Sequence, residues 1–413
     1  MPTPLIRDET MKYEIVCPVR MGVESDTCFK VSVLPPFSDD ALSFVEAFSS
    51  RLFASDAVQQ YPELSALAFW MRPARIAKIK SDFTKQYCER ILLGRGTVFH
   101  IAPANVDTLF VYSWFLSLLV GNTNIIRLSS RENAQLQILI DLLNGLFEEE
   151  RFSEIRRRTL LVRYGHDDEI TEHFSSQCDV RVIWGGDATI QHIRRVSIPA
   201  TAVELPFADK FSLAVIDAKA FAGSAEQAKV IDNFYNDAYW FGQLACSSPR
   251  LVVWLGTKDD ILPARQLFWS LLEKKVTQAQ PDLSAADVMN KFVSSSMMAM
   301  EHPGVILHRD AMGFIYRVQV NSLQDVDENN HCGAGLFFEA KIDQLQDLTS
   351  YLSKRNQTIT SYGIERKEWQ QMIETCRPSG VDRIVAMGKA LEFSVVWDGS
   401  DLLRSFCREV TII

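Results

Sequence analysis

The sequence has no apolar run long enough to span a membrane, no surplus of positive charge and no closely spaced cysteines. Its most apolar stretch, 109–120, falls short of the roughly 20 residues that a bilayer crossing needs. That stretch directly follows Asp107 and Thr108, so a buried helix is expected there. The first 21 residues mix Pro, Asp, Glu, Lys and Arg and contain no apolar signal core, which gives a cytoplasmic location as the expectation. A formal net charge of -9 removes any general attraction to nucleic acid or anionic membrane. The eight cysteines, Cys17, Cys28, Cys88, Cys178, Cys246, Cys332, Cys376 and Cys407, show neither a CxxC nor any other metal-like spacing. In a reducing compartment most are small buried side chains. His166 and His173 sit in an acidic run that reads as a solvated helix start, so no metal site is expected. Internal repeats, low-complexity tracts and a GxGxxG fingerprint are also missing.

What is there is the composition of a soluble globular enzyme, 47% hydrophobic and 23% charged. A chain of 413 residues exceeds what one hydrophobic core supports, so two packed domains are expected. Ser38-Asp39-Asp40 caps a helix over 40–53. From residue 97 onward, β-branched and aromatic runs alternate with helical patterns. Strands are expected at 97–102, 124–128, 159–163 and 180–184, with helices at 108–119, 132–148, 170–177 and 188–195 between them. Such alternation predicts a parallel sheet with helical crossovers and a nucleotide-binding layer. The pattern resets after Glu204 with a strand at 212–216, a helix at 225–240 and a strand at 250–255. The expected boundaries are 1–217 for a dinucleotide-binding domain, 218–378 for a catalytic domain and 379–413 for a C-terminal return segment. The apolar tail 410–413 suits an edge strand added across an oligomer interface.

Five features carry candidate chemistry. In Gly242-Gln243-Leu244-Ala245-Cys246-Ser247-Ser248-Pro249 a cysteine sits between a helix end and a strand start, among small residues that leave backbone amides accessible. A thiolate there would be a nucleophile; the plainer alternative is a core cysteine in a turn. Asn105, following the strand at 97–102, either donates to an oxyanion or caps the next helix. Arg127 with Ser129 and Ser130, and no acidic residue in that run, either holds a ribose bearing a 2'-phosphate or is an exposed strand-end arginine. Gly185-Gly186 forms a turn that lets a phosphate approach a helix start. Glu204, alone in an apolar segment, is either a general base of raised pKa or a salt-bridged structural carboxylate.

In this order the parts resemble the aldehyde dehydrogenase superfamily, and within it the LuxC-type long-chain acyl-CoA reductases, the reductase component of bacterial luminescence fatty acid reductase. Four segments carry the likeness: YPELSALAFWMR at 61–72, HIAPANVDTLFVYSWFLSLLVGNTNIIRL at 100–128, QLACSSP at 243–249 and GVDRIVAMGKALEFSVVWD at 380–398. The resemblance implies an α/β, aldehyde dehydrogenase-like fold of two intimately packed α/β domains. It makes Cys246 the acylated nucleophile, Asn105 the oxyanion donor and Glu204 the general base. Arg127, Ser129, Ser130, Gly185 and Gly186 would bind the adenosine and pyrophosphate half of NADPH. The LPFAD that follows Glu204 departs from the LGGK of hydrolytic relatives, and Cys246 stands one residue further from Gly242-Gln243 than in the oxidising enzymes. Glu328 and Glu339 are the candidates for the carboxylate that holds the nicotinamide ribose. The implied partners are an acyl-CoA or acyl-protein thioester, an acyl-protein synthetase and further copies of the chain.

The activity thus expected is NADPH-dependent reduction of a fatty acyl thioester to an aldehyde in a dry, apolar site. Two rivals share the motifs. One is an aldehyde dehydrogenase working in the oxidative direction, the other a non-catalytic scaffold that leaves Cys246 unacylated.

Overall fold

The structure, a computed structural model, describes residues 13–19, 31–102, 109–130, 133–281 and 283–413. These divide into two units, one running up to Ala208 and including Phe393–Ile413, the other spanning Asp209–Glu392.

The first unit is built on a six-stranded sheet. Its strands are β1 (Glu14–Cys17), β3 (Thr97–Ile101), β4 (Thr123–Leu128), β5 (Thr159–Arg163), β6 (Val180–Trp184) and β7 (Val203–Phe207), while β2 (Ile91–Gly94) lies outside it. The order is β1-β5-β4-β3-β6-β7, with β1 antiparallel to β5 and every other pair parallel. The chain therefore progresses outward from β3 first in one direction and then in the other. That reversal opens a crevice beyond the carboxyl ends of the central strands. The first helix, α1 (Asp39–Ala54), starts where Ser38 accepts the Ala41 amide and carries Asp39 and Asp40 against its N-terminal dipole. Its Phe44, Val45, Phe48 and Leu52 form one buried stripe. The apolar helix α2 (Leu109–Leu119) is buried from Phe110 to Leu119. It stops at Gly121, whose φ of 90° and 1.9 Å separation between a notional Cβ and the Leu34 carbonyl oxygen admit only glycine. No helix among the described residues is long and apolar enough to cross a membrane. Helices α3 (Ala134–Phe147), α4 (Asp168–Ser175) and α5 (Asp187–Ile193) supply the crossovers.

The second unit holds a seven-stranded sheet made of β8 (Phe211–Asp217), β9 (Pro249–Leu255), β10 (Ile306–Arg309), β11 (Tyr316–Gln319), β12 (Leu336–Ile342), β13 (Asn356–Tyr362) and β14 (Arg383–Ala386). Its order is β10-β11-β12-β9-β8-β13-β14, parallel except for β10. Alternate side chains feed two separate cores, as the period-two geometry of a strand requires. Leu213, Val215, Leu251, Val253 and Phe338 enter one. Ala214, Ile216, Val252, Trp254 and Phe337 enter the other. Helices α6 (Gln227–Tyr239) and α7 (Lys258–Ala279) cover the second face through Phe234 and Phe268; α9 (Arg366–Cys376), which follows α8 (Ala285–Glu301), covers the first through Trp369 and Met372.

Two expected boundaries move. β8 pairs with β9 and β13, so the division falls after Ala208 and not at 217. β14 pairs with β13, which keeps 379–392 in the second unit and starts the return segment at Phe393. Within that segment β15 (Val396–Trp397) and β16 (Ser400–Asp401) form a small hairpin, and β17 (Cys407–Val410) pairs antiparallel with β2 of its own unit. Of the apolar tail 410–413 only Val410 belongs to β17, and residues 411–413 are exposed and outside any strand.

Candidate active site

The cysteine loop belongs to the second unit. It leaves α6 through Phe241 (φ 55°, ψ 26°), Gly242 (φ 58°, ψ 27°) and Gln243 (φ 63°), three successive residues in the left-handed region. For Phe241 and Gln243 this conformation costs about 1 kcal/mol or more each and persists only where the surroundings impose it. The surroundings do so here. Gln243 is fully buried; its Nε2 donates to the Pro249 carbonyl at 2.9 Å and its Oε1 accepts the Gly335 amide at 2.9 Å. The Ala334 amide donates to the Gly242 carbonyl at 2.8 Å. At Gly333 (φ 75°) a Cβ would stand 2.9 Å from that carbonyl oxygen, so the close approach requires glycine. Lys291 of α8, itself buried, donates to the carbonyls of Gly313 (2.7 Å) and Ala334 (2.6 Å); burial lowers its pKa to about 8.

Cys246 follows this braced turn, partly exposed, while its neighbours Ala245, Ser247 and Ser248 are buried. Its carbonyl accepts the Ser212 hydroxyl at 2.6 Å, and the Ser248 amide closes a turn onto the Ala245 carbonyl at 3.0 Å. Burial pushes the thiols of Cys17 and Cys332 up, and those of Cys178 and Cys407 up to about 12. The nearby His331 is held neutral with its pKa lowered to about 3, chiefly by burial and next by Arg250. Its Nδ1 accepts the Gly333 amide at 3.1 Å, leaving Nε2 to donate to the Leu336 carbonyl at 2.7 Å.

In the first unit a cleft of about 300 Å³ opens at the carboxyl ends of β3, β4 and β5. Ile101, Arg127 and Tyr164 line it from the sheet, and Asp167, Asp168, Thr189 and His192 from α4, α5 and their approaches. Arg127 donates to the Tyr164 and Gly165 carbonyls at 3.3 and 3.1 Å, with its guanidinium 5.2 Å from the Tyr164 ring centroid. Its buried Nε has no hydrogen-bond partner. Size, position and this unspent donor fit the nucleotide half of a dinucleotide. Gly186 caps α5, and Gly185 packs its backbone against Thr189. Ser129 is partly exposed and Ser130 exposed, both just past β4 and neither lining the cleft. The acid-free surroundings read for Arg127 need correction, because the turn after β5 brings in two carboxylates. Asp167 caps α4 by accepting the Ile170 amide, and Asp168 pairs with His192 at 2.9 Å.

Glu204 also needs correction. It lies opposite Arg181 in the β6–β7 register, accepts Arg181 Nε at 3.0 Å and pairs with Arg194 Nε at 2.7 Å. Burial alone would raise its pKa, but the two guanidiniums overcome it and hold the carboxyl below its usual range. That is the salt-bridged alternative, and it makes a poor proton acceptor near neutral pH. Glu339 is fully committed as well: one oxygen accepts both Trp254 Nε1 (2.8 Å) and Trp269 Nε1 (2.6 Å), and the other meets Arg317 at 3.4 Å. Glu328 accepts Tyr351 and Asn356 at 2.8 and 3.0 Å. Asn105 lies outside the described residues. Among the described residues no group of three or more His, Cys, Asp or Glu side chains could hold a metal ion.

The sequence matches the acyl-CoA reductase (LuxC) family over residues 80–409. No curated protein matches it significantly. Among solved structures the fold is similar to that of aldehyde dehydrogenase 21 from Physcomitrella patens, with TM-score 0.66 and 9% identity over 90% of this chain and 85% of that one. It is also similar to betaine aldehyde dehydrogenase from Staphylococcus aureus, with TM-score 0.62 and 12% identity over 96% and 86%. A third likeness is to proline utilization A from Bradyrhizobium japonicum, with TM-score 0.62 and 15% identity over 92% of this chain. The chain spans only 43% of the length of that protein.

Proposed function

The chain belongs to the acyl-CoA reductase (LuxC) family, and on that premise we propose that it is an NADPH-dependent reductase of activated fatty acyl thioesters, acyl-CoA or acyl-protein, working through a covalent acyl-cysteine on Cys246. The observation that carries this reading is the placement of Cys246, partly exposed, directly after a strained turn that buried Gln243 holds in one conformation.

In the proposed mechanism the Cys246 thiolate attacks the thioester carbonyl. A C–S bond to Cys246 forms, the donor's C–S bond breaks, and the donor thiol leaves with a proton. Asn105 and a backbone amide of the loop donate to the transient oxyanion. When bound, NADPH supplies the hydride that brings the acyl carbon to the aldehyde level. Cleavage of the bond to Cys246 then releases the aldehyde and restores the thiolate. Arg127, Ser129, Ser130 and the Gly185-Gly186 turn are assigned to the adenosine and pyrophosphate half of the cofactor, with Arg127 facing the 2'-phosphate.

The ion pairs of Glu204 favour reduction over oxidation, since hydrolysis of an acyl-enzyme needs a base to activate water and this carboxylate is already spent on two arginines. The same reading puts the enzyme in the cytoplasm as a homo-oligomer that receives acyl groups from an acyl-protein synthetase. Intact-mass spectrometry after incubation with acyl-CoAs of graded length, without cofactor, tests it. The wild type is expected to gain one acyl group that Cys246→Ala does not, and an unlabelled wild type overturns the reading.

A further inference from the structure

We infer that Lys291 is a positioning residue for Cys246, because its ammonium anchors the hydrogen-bond chain that closes the cysteine loop; the inference rests on the reading of Cys246 as the nucleophile.

Lys291 lies on α8 and is fully buried. Its Nζ donates to the Ala334 carbonyl at 2.6 Å. The peptide unit that carries this carbonyl also carries the Gly335 N–H, which donates to Gln243 Oε1 at 2.9 Å. At the other end of the same amide, Gln243 Nε2 donates to the Pro249 carbonyl at 2.9 Å. One unbroken chain of hydrogen bonds therefore runs from the ammonium to the start of β9, and the loop it closes, 243–249, has Cys246 at its middle. A cation on the carbonyl draws electron density through the peptide, which makes the Gly335 amide a stronger donor and tightens the bonds that follow it.

The backbone around Lys291 depends on such an anchor. Gly333, Ala334 and Gly335 have φ of 75°, 57° and 90°, a second left-handed run that meets the one at 241–243. Ala334 lies ahead of the β12 ladder, and its buried carbonyl takes its donor from Lys291 instead. Nζ also donates to the Gly313 carbonyl at 2.7 Å. The next residue in that loop, Phe314, accepts the hydroxyl of Tyr239, the last residue of α6, at 3.2 Å. Lys291 thus joins two loops, one holding the end of α6 and the other holding the turn after it. Asp287 and Asp310, whose charges reach the ammonium, are spent on the amides of Ser284 (2.8 Å) and Ile315 (2.6 Å). An apolar side chain of the same length would avoid the cost of burying a charge. What the charge adds is a fixed direction for two carbonyls.

The test is the rate at which Cys246 gains an acyl group from hexadecanoyl-CoA without cofactor, read by intact-mass spectrometry on the full-length chain. Lys291→Met is expected to slow the transfer about tenfold or more while leaving the half-saturating concentration of hexadecanoyl-CoA unchanged. Lys291→Gln, which keeps two N–H donors without the charge, should recover part of the rate. The double variant Lys291→Met/Gln243→Leu should be within about twofold of Gln243→Leu alone, since both changes cut the same chain. Losses that multiply, or a Lys291→Met protein acylated at the wild-type rate, overturn the role of Lys291 alone. Where Lys291→Met or the double variant does not fold, Lys291→Gln against the wild type decides, because its shorter, uncharged amide must still slow the transfer. A wild type that takes up no acyl group on Cys246 overturns the nucleophile reading beneath it.

Discussion

Gln243 accepts the Gly335 amide at 2.9 Å across a separation of 92 residues, joining the turn before Cys246 to the loop that begins β12. The side chain is buried and uses both ends, so Gln243→Leu leaves the Gly335 amide and the Pro249 carbonyl unpaired. A loss of about 2–4 kcal/mol is expected from two stranded backbone groups. Chemical denaturation should show it, together with slower acyl transfer to Cys246 in the folded fraction. Unchanged stability would mean that the turn is held by something else.

Arg127→Ala removes the cation from the cleft in the first unit while leaving the cysteine loop untouched. The KM for NADPH should rise about tenfold or more, and that for NADH by much less. Equal losses with the two cofactors would detach Arg127 from the 2'-phosphate. They would also give weight to the carboxylates of Asp167 and Asp168 as ribose-binding groups.

For Glu204→Gln the expectation separates stability from chemistry. Arg181, whose side chain is 2% exposed, loses its charged partner, and breaking such a pair costs about 3–5 kcal/mol. The pH profile of turnover by the folded variant should match that of the wild type. Loss of a basic limb from that profile would restore Glu204 as a general base. Because its folded pKa is depressed, the stabilisation is present above the unfolded carboxylate value and disappears as pH falls through the folded one.

Asp237 titrates with the opposite sign. Burial raises its pKa to about 7, although its carboxylate accepts the amides of Gly388 (2.6 Å) and Ala390 (2.9 Å). A raised carboxyl pKa favours the protonated folded state, so its contribution is complete below the unfolded value and fades as pH rises through about 7. Melting temperatures measured across that window should fall with pH in the wild type and fall less steeply in Asp237→Asn. Parallel slopes would exclude Asp237 as the source.

The strand-helix alternation through residue 255 was legible because β3–β6, β8 and β9 are buried and α3, α4 and α6 are amphipathic, which keeps the two periods distinct. Beyond it the signal fades for identifiable reasons. β10 is mostly exposed and shows no alternation, α7 carries Pro263 within its first two turns, and α8 exposes Met289, Phe292, Val293, Met297 and Met300. At the site, the cysteine loop and the strand-end arginine could be read from local sequence. The partners of Glu204 could not, since Arg181 stands 23 residues away and only the β6–β7 register makes them neighbours. The same holds for Lys291, which has no motif and reaches the cysteine loop only through the Ala334 carbonyl.

The segment Phe393–Ile413 pairs with residues made some three hundred positions earlier, whereas everything in the second unit is contiguous. During synthesis, therefore, the cysteine-bearing unit has its full complement of residues while β2 still waits for β17. The unit that carries Cys246 can therefore begin to fold as it emerges, before β2 meets its partner, and the first unit is the later of the two to be closed.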